Sequence, residues 1–286
     1  MALIAVSAKG GFIRFALLDN DVLLEFGIWN RNAPDGVGDL YTGRVDTVEK
    51  ALAGCFVTLD QNVTGFLPDS AGGRSLTVGD HACLSVTRAG QNDKGPRLRV
   101  EDQPPRDKIG LISRGPGPLV ELAARFPDAE IILDDYALIA DLRPVLEGRM
   151  RYDSKAFDPI LEDEVATLAE PVAALPHGAR LHITQAPAAT LLDVDAAAAS
   201  HMQAFALNKD IIPEISRQIR LRNLSGGILL DFAGLKSAQR QKLLPYLQDA
   251  LKHDPLAPKL LGLSHLGFAE INRRRIHPPL AEMFYP

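Results

Sequence analysis

Three carboxylates stand where a buried strand would normally carry none. The run Ala189-Thr190-Leu191-Leu192-Asp193-Val194-Asp195 holds two of them. Side chains on a strand alternate between faces, so Asp193 and Asp195 point one way while Leu192 and Val194 point the other. A second run, Gly226-Gly227-Ile228-Leu229-Leu230-Asp231-Phe232, ends an apolar strand on a third acid. Two strands that deliver carboxylates to their ends can build a site for a hard cation, because oxygen ligands suit magnesium, which keeps much of its water. The same aspartates are also ordinary caps of the turns that follow strands. Spacing alone leaves both readings open. Arg217, Arg220 and Arg222 lie just before the Asp231 strand, and Arg273, Arg274 and Arg275 lie near the C-terminus. These runs offer positive ground near the acids, or else a solvated face.

The elements that must position these groups come from a chain of 286 residues, 46% of them hydrophobic, long enough for two or three small domains with their own cores. No apolar run approaches the roughly 20 residues of a membrane helix, and no basic segment leads into an apolar stretch at the N-terminus, so no membrane partner is expected and the default compartment is cytoplasmic. Cys55 and Cys83 have neither Cys-x-x-Cys spacing nor a His pair beside them, which makes them core residues rather than zinc ligands. A formal net charge of -5 argues against a protein that coats nucleic acid without specificity.

In chain order, residues 2 to 28 read as three antiparallel strands, with turns at Gly10-Gly11 and Asp19-Asn20-Asp21. A loop rich in Gly, Pro and Asn from Asn30 to Gly38 marks a boundary. From Leu40 to Val100 come five short strands, around Tyr41–Val45, Cys55–Leu59, Gly65–Pro68, Ala82–Thr87 and Arg97–Val100. Such a segment suits an OB barrel, whose outer face carries aromatic and basic residues. Phe56 and Phe66 are candidate stacking platforms and Lys94 and Arg97 candidate phosphate contacts, unless both phenylalanines belong to the barrel core. Residues 101 to 118 read as a Pro- and Gly-rich connector. Beyond it the pattern predicts a helix at Leu119–Arg125, a strand at Glu130–Leu133, and a helix over Tyr136–Leu142 that Pro144 interrupts or ends. A helix capped by Asp158 is expected from Pro159 to about Glu170. A strand pair then follows at Ala179–Ile183 and Ala189–Asp195, with helices at about Lys209–Leu224 and Ser237–Leu251 and a strand at Leu260–Leu263. Strand and helix alternate from residue 130 onward, so this half is α/β.

At this point the chain resembles the catalytic half of the ribonuclease E/G family. Ile215-Ser216-Arg217-Gln218-Ile219-Arg220-Leu221-Arg222-Asn223-Leu224-Ser225-Gly226-Gly227 followed by Ile228-Leu229-Leu230-Asp231-Phe232 is similar to the helix and strand that lead to the family's second magnesium carboxylate. Leu192-Asp193-Val194-Asp195 resembles the strand bearing the first, where the family usually has Asp-x-Asn. Leu40-Tyr41-Thr42-Gly43-Arg44-Val45, Gly54-Cys55-Phe56-Val57, Gly65-Phe66-Leu67-Pro68 and Asp93-Lys94-Gly95-Pro96-Arg97-Leu98 are similar to its OB domain. The stretch from Gly262 to Arg275 resembles its closing motif, and Gly110-Leu111-Ile112-Ser113-Arg114-Gly115 its 5′-monophosphate pocket, with Gly115 in place of a threonine.

The resemblance implies an α/β (α+β) fold of several subdomains. An OB-fold barrel (39–100) would be inserted in a split ribonuclease H-like subdomain (1–38 and 101–169), followed by a deoxyribonuclease I-like catalytic subdomain (170–286). It implies that Asp193 and Asp231 bind Mg2+, that Asp195 orients Asp193 or the metal's water, and that Phe56, Phe66, Lys94, Arg97 and Arg114 contact single-stranded RNA. The implied activity is a magnesium-dependent endoribonuclease of ribosomal or messenger RNA processing, with an inactive RNA-binding or ribosome-assembly factor as the alternative. After Asp195 the family's polar loop is replaced by Ala196-Ala197-Ala198-Ala199-Ser200, and Gly234 stands where another Asp is frequent. The family's Cys-Pro-x-Cys zinc link is not found after Arg275, so no zinc-linked tetramer is expected, only a monomer or dimer.

Overall fold

The computed structural model describes residues 2–8, 11–91, 94–146 and 148–284. Gly10 of the first expected turn and Asp93 of the barrel motif lie outside the described residues. The N-terminal strands β1 (Ala2–Ser7), β2 (Ile13–Asp19) and β3 (Val22–Trp29) pair antiparallel in sequence. Asn20 and Asp21 close the second hairpin with φ of 48° and 62°. Two central residues of positive φ make a type I′ turn, whose twist matches that of the flanking strands.

Five strands follow: β4 (Leu40–Glu49), β5 (Gly54–Asp60), β6 (Val63–Pro68), β7 (His81–Arg88) and β8 (Arg97–Val100). Each pairs with two others in the ring β4-β5-β6-β8-β7, which returns to β4 and so forms a closed, OB-like barrel. Its interior is filled by Val45, Cys55, Val57, Leu59, Leu67, Leu84, Val86 and Leu98. There is no room for more: a Cβ on Gly43 would lie 2.7 Å from both Leu84 and Val57 side chains. Cys55 and Cys83 are buried free thiols, as expected.

The expected connector after the barrel contains a strand, β9 (Gly110–Ser113), which hydrogen-bonds to the start of β4. Its Gly-Leu-Ile-Ser sequence is too short to show a period, and only the exposed edge of β4 makes it a strand. The chain then runs through α1 (Pro118–Arg125), β10 (Glu130–Leu133), α2 (Tyr136–Leu146), β11 (Met150–Tyr152) and α3 (Pro159–Ala166). β10 joins β1 in parallel, giving a five-stranded sheet of order β11-β10-β1-β2-β3. Alternation sends Ile4 and Val6 to the face covered by α1 and α2, and Ala5 to the face covered by α3. Pro144 neither interrupts nor ends α2. Leu138, Leu142 and Leu146 repeat every fourth residue and pack on the sheet, which outweighs the one lost backbone hydrogen bond. Asp158 caps α3 as expected, accepting from the Leu161 amide at 2.8 Å, but the helix gives way after Ala166 to a 3₁₀ turn, Thr167–Ala169.

The remaining elements are β12 (Val172–Ala174), β13 (Arg180–Gln185), β14 (Ala189–Asp195), α4 (Ala204–Leu221), β15 (Gly226–Asp231), α5 (Ser237–Leu251), β16 (Lys259–Leu263), β17 (Ala269–Arg273) and α6 (Leu280–Phe284). They build a six-stranded sheet of order β12-β13-β14-β15-β17-β16 in which only β14 and β15 run parallel. α4 begins at Ala204, five residues before the expected start, because Leu207 joins Ile211, Ile215 and Ile219 on its buried face. α4 and α5 cover one face of this sheet, and the other is open. Among the described residues no helix is long and apolar enough to cross a membrane.

Both expectations for the arginine runs need correction, since most of these side chains are internal ties. Arg217 and Arg220 donate to the carbonyls of Leu23 and Leu24 at 2.7 and 2.8 Å, joining α4 to β3. Arg222 donates to the carbonyls of Thr167, Leu168 and Glu170, and burial pushes its pKa down to about 10. Arg273 is 3% exposed and bonded to the fully buried Asp254 at 2.7 Å. Guanidinium groups carry five donors, so one side chain can satisfy several strand-end carbonyls.

Removing one partner of that last pair leaves a buried charge without its counter-ion. Arg273→Met is expected to lose about 3–5 kcal/mol of stability, and the joint Arg273→Met, Asp254→Leu protein to lose much less, as read from urea denaturation. A second prediction concerns His277, whose Nδ1 lies 2.6 Å from Asp35 in the loop before the barrel. Burial opposes the imidazolium, but the hydrogen bond to Asp35 and its negative charge, with Glu121 beyond, raise the pKa above its ordinary value. A raised folded-state pKa contributes stability that is complete below the unfolded value of about 6.5 and is lost as pH rises through the folded value. The urea midpoint of the unaltered protein is therefore expected to fall toward that of His277→Gln as pH rises above about 6.5 and through the raised folded value.

Candidate active site and nucleic-acid interface

β14 and β15 lie side by side in a register that makes Asp193 and Asp231 direct partners. Neighbouring strands are about 4.8 Å apart, so the two carboxylates leave adjacent backbones at one level of the sheet. Leu192, Val194, Ile228 and Leu230 are buried under α4 and α5. Alternation then turns Asp193, Asp195 and Asp231 to the open face. Asp193 is exposed, with His182 of β13 directly opposite on its other side.

Asp231 is held by a group that the spacing of acids did not reveal. Arg240, in the first turns of α5, bonds Asp231 Oδ1 through Nη1 and is fixed by the carbonyls of Leu235 (2.9 Å), Gly267 (3.0 Å) and Phe232 (3.1 Å). The only trace of it in the sequence is a basic residue one short loop and one helical turn beyond an acid-terminated strand. Asp195 fulfils the turn-cap reading: its Oδ1 accepts the Ala197 amide at 2.9 Å, at the start of a 3₁₀ turn spanning Ala197–His201. Arg180 stands opposite Asp195 across the β13–β14 pair.

Among the described residues no three acidic, histidine or cysteine side chains gather closely enough to cage a metal. Such a donor set has fewer side-chain ligands than a structural zinc site takes. It fits magnesium, which is held by one or two carboxylates and completes its shell with water and substrate phosphate. Asp193 and Asp231 are the residues that would hold it.

The barrel presents a second feature. Phe56 on β5 is the register partner of Phe66 on β6, and Phe66 of Arg97 on β8. The two rings meet edge to face with centroids 5.4 Å apart. Phe66 lies over Gly54, where a Cβ would come within 2.6 Å of the ring. Both rings are half-buried and outside the barrel's interior cluster, so the core alternative does not hold for them. Arg97 is exposed, and so is Lys94, which sits in the β7–β8 loop with reciprocal backbone bonds to Gln91. Arg114 is not brought to this row. It follows β9 at the start of β4, whereas Phe56 pairs with Thr47 near the end of β4. Its Nη1 is bonded to Asp39 at 2.5 Å, and the next amide, Gly115, donates to the same carboxylate at 2.8 Å.

The Ribonuclease E/G family model matches residues 138–276, which include β14, β15 and Arg240 but not the barrel. Ribonuclease G from Salmonella typhimurium (strain SL1344) is 33% identical over 121 residues, 40% of this chain and 25% of that protein. Ribonuclease E from Nostoc sp. (strain PCC 7120) is 32% identical over 116 residues, 38% of this chain and 17% of that protein. Ribonuclease E from Escherichia coli (strain K12) is 29% identical over 128 residues, 43% of this chain and 12% of that protein. The matched segments thus span a quarter or less of these relatives. The family pattern runs through the helix, the two strands and the closing hairpin that surround Asp193 and Asp231, and over these residues the chain is similar to the ribonuclease E/G family.

Proposed function

We propose that the chain is a cytoplasmic, magnesium-dependent endoribonuclease that cuts single-stranded RNA of ribosomal or messenger origin, acting as a monomer or dimer. The observation that carries this is the pairing of Asp193 with Asp231 on two parallel strands of an open sheet face. The row Phe56, Phe66 and Arg97 on the barrel supports it, since stacking on aromatic rings is indifferent to base identity and suits an unpaired strand. The subdomain division proposed is 1–38 with 101–169, 39–100 and 170–286. The sheet order β11-β10-β1-β2-β3 favours a ribonuclease H-like first unit, and the helix-backed six-stranded sheet a deoxyribonuclease I-like last one.

In this reading Asp193 and Asp231 hold Mg2+, which when bound polarises a phosphoryl oxygen and makes a water nucleophilic at neutral pH. Arg240 fixes the rotamer of Asp231 by spanning it and three carbonyls. Asp195 shapes the turn after β14, and so the rim of the site, through its bond to Ala197. Lys94 and Arg97 offer exposed positive charge to the backbone beside the stacked bases.

Asp193→Asn and Asp231→Asn are each expected to lower cleavage of a short A/U-rich strand by at least about 100-fold while leaving RNA binding in chelator intact. Cleavage that survives both changes, or survives chelator, removes the metal pair from the reaction. Tight binding without any magnesium-dependent cleavage by the unaltered protein would identify an RNA-binding factor instead. Phe56→Ala and Phe66→Ala are each expected to weaken single-strand binding by about 1–3 kcal/mol in a titration with labelled RNA.

A further inference from the structure

Most arginines of this chain that are even partly buried have an acid or a carbonyl to bond. Arg14 meets Glu162, Arg217 meets Glu164 and Glu214, and Arg273 meets Asp254. Arg88 and Arg275 depart from that rule. Both are half-buried, and among the described residues neither side chain has a hydrogen-bond or ion-pair partner. Arg88 closes β7 and is the register partner of Arg97 beyond a bulge at Val86. Burial, then the charges of Arg97 and Arg275, lower its pKa, so the Arg88 guanidinium stands within the field of the other two.

They come from different parts of the fold. Arg275 lies just beyond β17, and its guanidinium rests on Gly226, the first residue of β15, where a Cβ would approach Nε and Nη2 to 2.4 Å. The Ala89 amide donates to the Ile276 carbonyl at 2.9 Å, fastening the end of β7 beside this segment. The cluster therefore occupies the seam between barrel and six-stranded sheet. Like charges brought together out of water are unfavourable unless an anion joins them, and a phosphate diester accepts in the planar, forked geometry that guanidinium groups offer.

Its position also matters. Phe56, Phe66, Arg97 and Arg88 form one continuous row of register partners across β5, β6, β8 and β7. Gly226 opens β15 at the end opposite Asp231, about 17 Å away at the rise of a strand, and alternation puts its Cβ position on the face of Ile228 and Leu230 rather than that of Asp231. The arginines thus extend the stacking row from the barrel to the start of β15 at the seam.

We propose that Arg88, Arg97 and Arg275 form a phosphodiester clamp at the barrel–sheet seam, which holds the backbone of a single-stranded RNA whose bases stack on the aromatic row. The clamp rests on the reading above that RNA is the ligand. Arg275 joins the site because Gly226 lacks a side chain, so Gly226→Ala should displace it.

The test is binding of a labelled A/U-rich single strand to the full chain in chelator, over a range of potassium chloride concentrations. Arg88→Gln and Arg275→Gln are each expected to weaken binding and to flatten the slope of log K against log salt by about 0.7, the loss of one phosphate contact on a single strand. Arg88→Lys and Arg275→Lys, which keep charge and stem, should hold the slope and show that a change in the Gln variants is not misfolding. Slopes unchanged in the Gln variants, with Phe66→Ala still weakening binding, overturn the clamp and leave the RNA reading in place. Competition by inorganic phosphate that Arg275→Gln abolishes, with an unaltered RNA slope, marks a free-anion site and likewise overturns it. An unaltered protein that binds no RNA ends both proposals.

Discussion

The parallel pairing of β14 with β15 is the constraint on which the site depends. Register on a sheet is set by which side chains must be buried, and here Leu192, Val194, Ile228 and Leu230 all go under α4 and α5. With those four inside, Asp193 and Asp231 have no choice of face. A slip of one residue would expose the leucines and drive the carboxylates into an apolar layer, which would cost several kcal/mol for each group. The hydrophobic layer thus holds two like charges side by side without any direct bond between them. Arg240 then takes one of the two into a frame of carbonyls, offsetting part of their repulsion.

Arginine has three separate uses in this fold. Arg217, Arg220 and Arg222 close backbone carbonyls that strand ends and turns leave open, and in doing so they join the C-terminal half to β3 and to the segment after α3. Arg273 neutralises Asp254 in a dry position. Arg88 meets the charges of Arg97 and Arg275 near the seam. Identical side chains at close spacing, such as Arg273 and Arg275, thus end in opposite environments. The difference is whether a carboxylate from another element arrives, and that is a property of the packing.

Much of the fold was legible because the hydrophobic pattern has a clear period. Alternation in β2, β5 and β14 marked strands, and the four-residue repeat of Leu138, Leu142 and Leu146 belongs to a helix, although Pro144 argued for an earlier end. Local signals failed where an element exists only by virtue of a neighbour. β9, β11 and β12 are three or four residues long and have no period of their own. Each is a strand because a free edge lies beside it.

The sequence by itself determined that Asp193, Asp195 and Asp231 lie at or near strand ends, that five short strands precede an α/β half, and that Phe56 and Phe66 lie on two of those short strands. These follow from residue type and alternation, which are local. Tertiary structure alone decided that Asp193 meets Asp231 while Asp195 turns to Ala197, that Phe56 and Phe66 lie outside the barrel, and that Arg240 reaches an acid nine positions back. Those outcomes depend on register, on which face the helices cover, and on how loops return, and each involves residues far apart in the chain. Side-chain chemistry is written in the order of residues, but its pairing is settled only when apolar surfaces close against one another.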